Sequence, residues 1–406
     1  MNAHPPIAVT RRPGLLAILT DEGLRLFFPL AALHAAAWPL LWIFVHGFGL
    51  PFATSVPAHF WHAHEMLVGA FGAALIGFIT TALPEWTDTP RPRGRALLAL
   101  AGLWLVGRVV GLLGIDALGL LGALADCLWL AALAAYAARL SVAKRTTRLL
   151  PFVGWLTAFL VAEAATRHAF VTGDVAAAQT LLHVTGLVFL GLLGLALARI
   201  TVPITNLILD PTEETSPFRP HPGRRNLAPG LVAVLIAGLL AGLSEPALGF
   251  LAVAAGAAFL DRVGEAFVGR EALRIELMAL AGSSALAGLG LLVWGAALLG
   301  APIPVSSGLH LAFMGGLGLG ALAVFCVAGL LHCGRPLALS RLAITSLWLL
   351  VAAVALRVLP DLGLLPHPPG PPHALSALLF AGAFAAWLAA YWPLFTDPRT
   401  LDAHSC

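Results

Sequence analysis

The chain of 406 residues consists largely of apolar stretches, separated by short clusters of proline, glycine and charged residues. About 20 consecutive apolar residues are enough to cross a bilayer as an α-helix. The sequence therefore predicts an all-α polytopic membrane protein with about twelve transmembrane helices. The predicted spans lie near residues 24–46, 58–83, 95–113, 117–138, 149–171, 176–200, 228–244, 246–266, 273–298, 307–331, 342–359 and 373–395.

The composition leaves little room for anything besides these spans. Charged residues make up 11% of the chain and hydrophobic residues 59%, whereas a soluble domain carries about 25% charged residues. We expect a single transmembrane domain over residues 1–406, with a central cytoplasmic loop near 201–227. The formal net charge of +3 is spread over many short loops, which argues against nucleic acid as a partner.

The basic residues predict the orientation, because loops rich in arginine and lysine stay on the cytoplasmic side. With both termini cytoplasmic, only four of the 23 basic residues fall outside the cytoplasmic segments, and these four lie within or at the ends of predicted spans: Arg108, Arg167, Arg199 and Arg357. The cytoplasmic segments then contain Arg11, Arg12, Arg25, Arg91, Arg93, Arg95, Arg139, Lys144, Arg145, Arg148, Arg219, Arg224, Arg225, Arg262, Arg270, Arg274, Arg335, Arg341 and Arg399.

Three histidines and a glutamate stand close together where the second predicted span begins. They are His59, His62, His64 and Glu65. Ionisable groups inside a membrane are costly and usually functional. On a regular helix His59, His62 and Glu65 share one face, whereas His64 points elsewhere. The run is therefore expected to serve either two neighbouring sites or one ligand and a group that hydrogen-bonds to it.

Other histidines gather near the same predicted outer side. His183 lies in the outer part of the sixth span, and His310 and His373 open the tenth and twelfth. His332 follows His310 by 22 residues, which places it roughly 33 Å away along a helix, too far to bind the same metal. Imidazole suits haem iron and copper, and zinc remains compatible with the same donors.

Two further pairs of charged residues lie within predicted spans. Glu163 and Arg167 are four residues apart, which favours an ion pair along one helix. Asp126 is isolated in sequence, so it either pairs with Arg108 across the short turn between the third and fourth spans or acts as a proton relay or ligand-orienting group. The glycines at 107 and 111 predict close helix packing.

Several classes of site lack their sequence motifs. The four cysteines show no C-x-x-C or C-x-x-C-H spacing, so a covalent c-type haem, a zinc ribbon and a disulfide framework are not supported. The sequence shows no P-loop, nucleotide fingerprint or catalytic triad either, so it does not support a hydrolytic or ATP-driven activity. Any metal site would depend on histidine.

Several runs closely resemble the NnrS family of bacterial membrane proteins, which is linked to nitric oxide and denitrification. The matching runs cover most of the chain: Trp61-His-Ala-His-Glu-Met66 with Gly69, Gly77-Phe78, Thr81-Ala82 and Trp86-Thr87; Leu103-Trp104 with Gly107-Arg108; His310 with Gly315 and Gly318; and His332 with Gly334-Arg335-Pro336-Leu337. Arg25, Asp126 and Arg199 fit more loosely.

The resemblance implies a protein of the bacterial inner (cytoplasmic) membrane that binds non-covalent, b-type haem and copper. The ligand positions that it carries over are His59, His62, His64, His310 and His332. His62 and His310 are the preferred iron or copper ligands, His59 or His64 would complete a second centre, and His332 would act on the opposite face. Glu65 would orient a ligand, with Asp126, Arg108 and Arg199 as further supporting residues.

Three functions follow as alternatives. The first is a haem- and copper-binding protein that binds or responds to nitric oxide and protects against nitrosative stress. The second is a transporter for a metal, haem or small anion. The third is an enzyme that metabolises nitric oxide, which requires an electron donor that the sequence does not reveal.

Overall fold

Helices make up 80% of the chain in the computed structural model, which describes residues 13–48 and 57–401, with residues 44–48 as backbone only. No β-strand occurs in these ranges. Arg11 and Arg12, which contributed to the predicted orientation, lie outside the described residues. The all-α prediction is confirmed.

Thirteen helices of the described segments are numbered here in chain order. They are α1 (Leu15–Leu19), α2 (Gly23–Phe48), α3 (Ala58–Thr87), α4 (Arg95–Leu113), α5 (Gly119–Ala143), α6 (Leu150–Thr172), α7 (Val175–Leu209), α8 (Arg224–Leu240), α9 (Glu245–Asp261), α10 (Ile275–Leu298), α11 (Val305–Leu331), α12 (Arg341–Val358) and α13 (Ala374–Phe395).

Ten of these helices are long and apolar enough to cross a membrane. Two of the twelve longer helices fall short. The helix α8 has only 17 residues, whereas α9 is extended to Ala266 by a 3-10 segment. The helix α6 contains Glu163, Arg167 and His168, which reduce its mean hydropathy. The structure therefore supports a polytopic membrane protein, while the count of twelve spans and the cytoplasmic termini stay predictions.

The helix ends follow from local sequence. The helices α4 and α6 end at Gly114 and Gly173, whose positive φ angles of 60° and 69° terminate a helix without a Cβ clash. The side chain of Asp174 accepts a hydrogen bond from the backbone N–H of Ala177 and so caps the start of α7. These short caps let α6 and α7 pack side by side as an antiparallel pair.

Three helices form the interior of the bundle. In their most apolar stretches, 78% of α3, 78% of α7 and 67% of α11 is buried, against 33–56% for the other candidate spans. Phe71 of α3 packs against Phe189 of α7, and Gly186 of α7 lies against the ring of Phe313 in α11. The surrounding helices expose leucines such as Leu105 and Leu128, as expected for surfaces that face lipid.

Two of the interior helices change their winding directly after a histidine. In α3 a π-helical segment, Glu65–Phe71, follows His64, and in α11 the segment Leu311–Leu317 follows His310. Such segments are rare and frequently occur at functional sites. The wider turn also rotates the residues that follow it relative to a regular α-helix.

The helix α7 is longer than predicted. It continues from residue 200, the predicted end, to Leu209, with Pro203 inside the helix. The connection to α8 is therefore shorter than the loop expected near 201–227. Asp210 organises it by accepting hydrogen bonds from the backbone N–H and hydroxyl groups of Thr212 and Thr215, and these bonds lower the pKa of Asp210 to about 2.

Candidate functional site

A cluster of buried ionisable side chains occupies the space between α2, α3, α4, α5 and α6. We call it the ionic network; its members are His34, His64, Glu65, Arg108, Asp126, Glu163 and Arg167. All but His34 are almost fully buried. Buried charges of this kind persist only when they are paired and hydrogen-bonded.

His64 lies between two carboxylates. Its Nδ1 is 3.1 Å from Oε1 of Glu65, and its Nε2 is 2.9 Å from Oε1 of Glu163. A histidine donates through both ring nitrogens only when it is protonated. The network contains three carboxylates and two guanidinium groups, so a protonated His64 brings its net charge to zero.

Asp126 is the centre of the arginine contacts. One of its oxygens accepts a hydrogen bond from Arg108 at 2.6 Å and another from Arg167, and its second oxygen accepts one from the indole N–H of Trp129 at 3.0 Å. Arg167 also donates to Glu163 at 2.8 Å. The predicted pairs between Arg108 and Asp126 and between Glu163 and Arg167 are thus confirmed.

Two glycines of α4 make room for the carboxylates. A Cβ on Gly107 would lie 2.5 Å from Oδ1 of Asp126, and one on Gly111 would lie 3.0 Å from Oε1 of Glu65. The close packing predicted for this pair therefore brings α4 against charged side chains of its neighbours, rather than only against another backbone.

Glu65 differs from the expectation in its partners. We expected it to share a face with His59 and His62 and to orient one of the preferred ligands. Instead it lies against His64, 3.3 Å from His34 and 3.3 Å from Arg108. The π-helical segment begins at Glu65, so regular spacing no longer places the residues that follow it. Glu65 itself contacts neighbouring helices, which its spacing along α3 does not predict.

His64, Asp126 and Glu163 each offer one ligand atom within 4.8 Å of the others, a spacing that a metal ion can use. Oxygens of Asp126 and Glu163, however, accept hydrogen bonds from Arg108 and Arg167. A metal would have to displace these guanidinium groups. The arrangement suits an ion-pair network better than a metal site.

His62 lies next to this network on the same helix but has different surroundings. Its ring packs against the indole of Trp42, with 4.7 Å between the ring centroids. Its Nδ1 is buried without a hydrogen-bond partner among the described residues. A buried imidazole nitrogen without a partner is unusual, and it is the kind of atom that a bound ligand would satisfy.

His310 of α11 lies near His62 and has one nitrogen fixed by the backbone. Its Nδ1 is 2.8 Å from the carbonyl oxygen of Ser306, so Nδ1 carries the proton and Nε2 keeps a free lone pair. This is the usual arrangement of a metal-binding histidine. His62 and His310 interact electrostatically with each other and with the same two neighbours, Arg357 and His373.

Arg357 brings positive charge to the two histidines. It lies at the end of α12 and pairs with Asp361 at 2.5 Å. Arg357 interacts electrostatically with both His62 and His310.

The remaining predicted site residues are placed as follows. His59 is exposed, packs edge-on against Phe60 and interacts electrostatically with His62. His332 lies at the opposite end of α11, where its Nδ1 is 2.8 Å from Oε1 of Glu22 and its Nε2 is 3.5 Å from Oε2 of Glu85. Arg199 also lies toward that end, over the rings of Trp86 and Phe152.

Some residues of the site could not be assigned from sequence. His34 is a lone histidine in α2, and only the fold brings it to Glu65. The contact between His64 and Glu163 joins residues 99 positions apart. Only Arg357 could have been singled out from the sequence. It is one of the four basic residues that lie inside or at the ends of the predicted spans and not in cytoplasmic segments.

Comparison with known proteins identifies the family. A model of the NnrS protein family matches residues 18–399. The chain belongs to the NnrS family. The match includes all of the predicted ligand positions and every member of the ionic network. No curated protein and no solved structure matches the chain, so the residue roles in this NnrS family member rest on its own geometry.

Proposed function

We propose that this NnrS family member binds haem at a site formed by His62 and His310 and uses it to bind or respond to nitric oxide. The observation that carries the proposal is the pair of imidazoles on two interior helices, each with a nitrogen that no described residue occupies. His310 directly precedes a π-helical segment, and His62 lies three residues before another.

The chemistry of the surroundings fits haem. Imidazole is a common axial ligand of haem iron, and the absence of a C-x-x-C-H motif favours non-covalent binding. Haem carries carboxylate groups, which the positive charge of Arg357 beside both histidines would favour. The indole of Trp42 against His62 provides apolar contact area. Bound haem would supply an iron atom that binds nitric oxide.

Copper is the second part of the proposal, and His59 is its candidate ligand. His59 is exposed and stands three residues before His62, outside the ionic network, so its imidazole is available to a second metal centre separate from the haem. Both nitrogens of His64 already face carboxylates, and we therefore assign His64 to the ionic network, where it holds the start of α3 in place.

The partners of the intramembrane carboxylates weigh against the transporter alternative. A cation pathway needs carboxylates that are free to bind the cation, whereas Glu65, Asp126 and Glu163 are all in contact with arginine or histidine. The ionic network instead supports the helix that carries His62.

A titration with nitric oxide tests the function. Full-length protein is purified in detergent, reduced, and its absorption spectrum is recorded before and after addition of nitric oxide. We expect haem bands that shift on addition. Protein without haem bands, or with bands that nitric oxide leaves unchanged, would contradict the proposal. Cation uptake by proteoliposomes of haem-free protein, abolished in Glu65→Gln, would favour transport instead.

A further inference from the structure

Three arginines cluster at the end of the bundle opposite to His62. Arg199 of α7 donates a hydrogen bond to the backbone carbonyl of Arg148 and interacts electrostatically with Arg148 and Arg225. Arg148 and Arg225 are exposed and Arg199 is partly exposed. Within residues 13–48 and 57–401, no carboxylate pairs with any of the three. The cluster is an accessible concentration of positive charge.

Arg199 rests on aromatic rings. Its guanidinium carbon lies 4.9 Å from the ring centroid of Trp86 and 4.9 Å from that of Phe152. These contacts hold the side chain at the boundary between the apolar interior and the helix ends. They leave the N–H groups that do not bond to Arg148 available for an anion. Arginine provides several such donors in a planar array that suits phosphate.

An apolar cavity begins at one of these rings, that of Phe152. It has about 590 Å³ of empty space, which includes space open to the outside. All of its lining residues are apolar, and they include Phe152, Phe78, Phe189, Ala196, Leu197 and Val324. A cavity lined in this way offers water no hydrogen bonds, so it favours an apolar occupant.

The cavity and the arginine cluster are continuous. Phe152 both lines the cavity and lies under Arg199. Along α7 the lining runs from Phe189 to Leu197, about 12 Å of helix, and Arg199 follows two residues later. Ala196, Ala321, Phe78 and Val324 in the wall are partly exposed, which gives the cavity an opening between helices.

We propose that this site binds an anionic phospholipid, with its phosphate at Arg199, Arg148 and Arg225 and one acyl chain in the apolar cavity. A free anion would explain the arginines but not the cavity, because a phosphate ion gains nothing from an apolar lining. The positive-inside rule places these arginines on the cytoplasmic side, where basic pockets between helices bind anionic headgroups. The proposal does not depend on the haem site.

Native mass spectrometry of the full-length protein in detergent tests the proposal. Phosphatidylglycerol and phosphatidylcholine with identical acyl chains are titrated separately, with inorganic phosphate as a third ligand. We expect phosphatidylglycerol to bind more tightly than phosphatidylcholine. Arg199→Gln and Arg148→Gln should each weaken phosphatidylglycerol binding about fivefold, and Ala196→Leu, which fills the cavity, should weaken binding of both lipids.

The matched control is Arg341→Gln, because Arg341 is also an exposed arginine on the predicted cytoplasmic side and lies outside the cluster. It should bind phosphatidylglycerol as the wild type does. Retained helical circular dichroism and an unchanged absorption spectrum show that each variant is folded. Equal binding of the two lipids would overturn the proposal, and so would a loss of phosphatidylglycerol binding in Arg341→Gln as large as in the cluster variants. Binding of inorganic phosphate, together with lipid binding that Ala196→Leu leaves unchanged, would also overturn it.

Discussion

The Nε2 atom of His64 lies 2.9 Å from Oε1 of Glu163, and this contact connects the start of one interior helix to the middle of a peripheral one. The neighbouring His62 makes no such contact. Two histidines separated by one residue on α3 therefore have different surroundings: His64 contacts two carboxylates, whereas His62 packs against Trp42 and has a buried Nδ1 without a partner among the described residues.

Removing Glu163 should destabilise the fold. In Glu163→Gln, both Arg167 and His64 lose the carboxylate that they share. The variant therefore leaves buried positive charge uncompensated. Breaking a buried ion pair in this way costs about 3–5 kcal/mol, and the thermal unfolding midpoint in detergent should fall accordingly. The double variant Glu163→Gln with Arg167→Gln restores the charge balance, so its loss should be smaller than the sum of the single losses. Additive losses would refute the coupling.

A methyl group on Gly107 should disturb the network. In Gly107→Ala the new Cβ would lie 2.5 Å from the carboxylate of Asp126, and such overpacking costs about 1–3 kcal/mol. Gly102→Ala on the same helix is the matched control, since no atom lies within 4 Å of its Cβ position. It should be neutral or stabilising by up to about 1 kcal/mol. Similar unfolding midpoints for the two variants would argue against the close approach.

His332 should contribute to stability without binding the pigment. In His332→Ala the contact with Glu22 at 2.8 Å is lost, whereas Glu22 keeps its contact with Arg91. We expect a loss of about 1.5–3 kcal/mol, the usual range for hydrogen bonds to charged groups, measured by thermal unfolding. The haem content should equal that of the wild type. A variant that loses its haem while keeping its stability would assign His332 to a cofactor.

Hydropathy and spacing predicted the helical fold and the pairs close in sequence. The pairing of Arg108 with Asp126 follows from a short turn between adjacent spans, and that of Glu163 with Arg167 follows from the helical repeat. The contacts of Asp126 with Arg167 and of His64 with Glu163 depend on which helices become neighbours, and no local pattern encodes that.

The partners of Glu65 depend on the helices that pack against α3. Its spacing from His59 and His62 is regular, because the π-helical segment begins only at Glu65, but its contacts with His34 and Arg108 come from α2 and α4. No sequence pattern predicted the π-helical segments that follow His64 and His310. In both interior helices the irregular winding lies beside the candidate ligands, so regular periodicity is least reliable at the site itself.

The central claim is tested most directly by the haem-to-protein ratio and the absorption spectrum of three purified proteins. They are the wild type, His62→Ala and His310→Ala. His332→Ala serves as the control at the opposite end of α11. We predict that both His62→Ala and His310→Ala lose haem or show a changed absorption spectrum, and that His332→Ala keeps the wild-type ratio. A wild-type ratio and spectrum in either His62→Ala or His310→Ala would contradict the shared site.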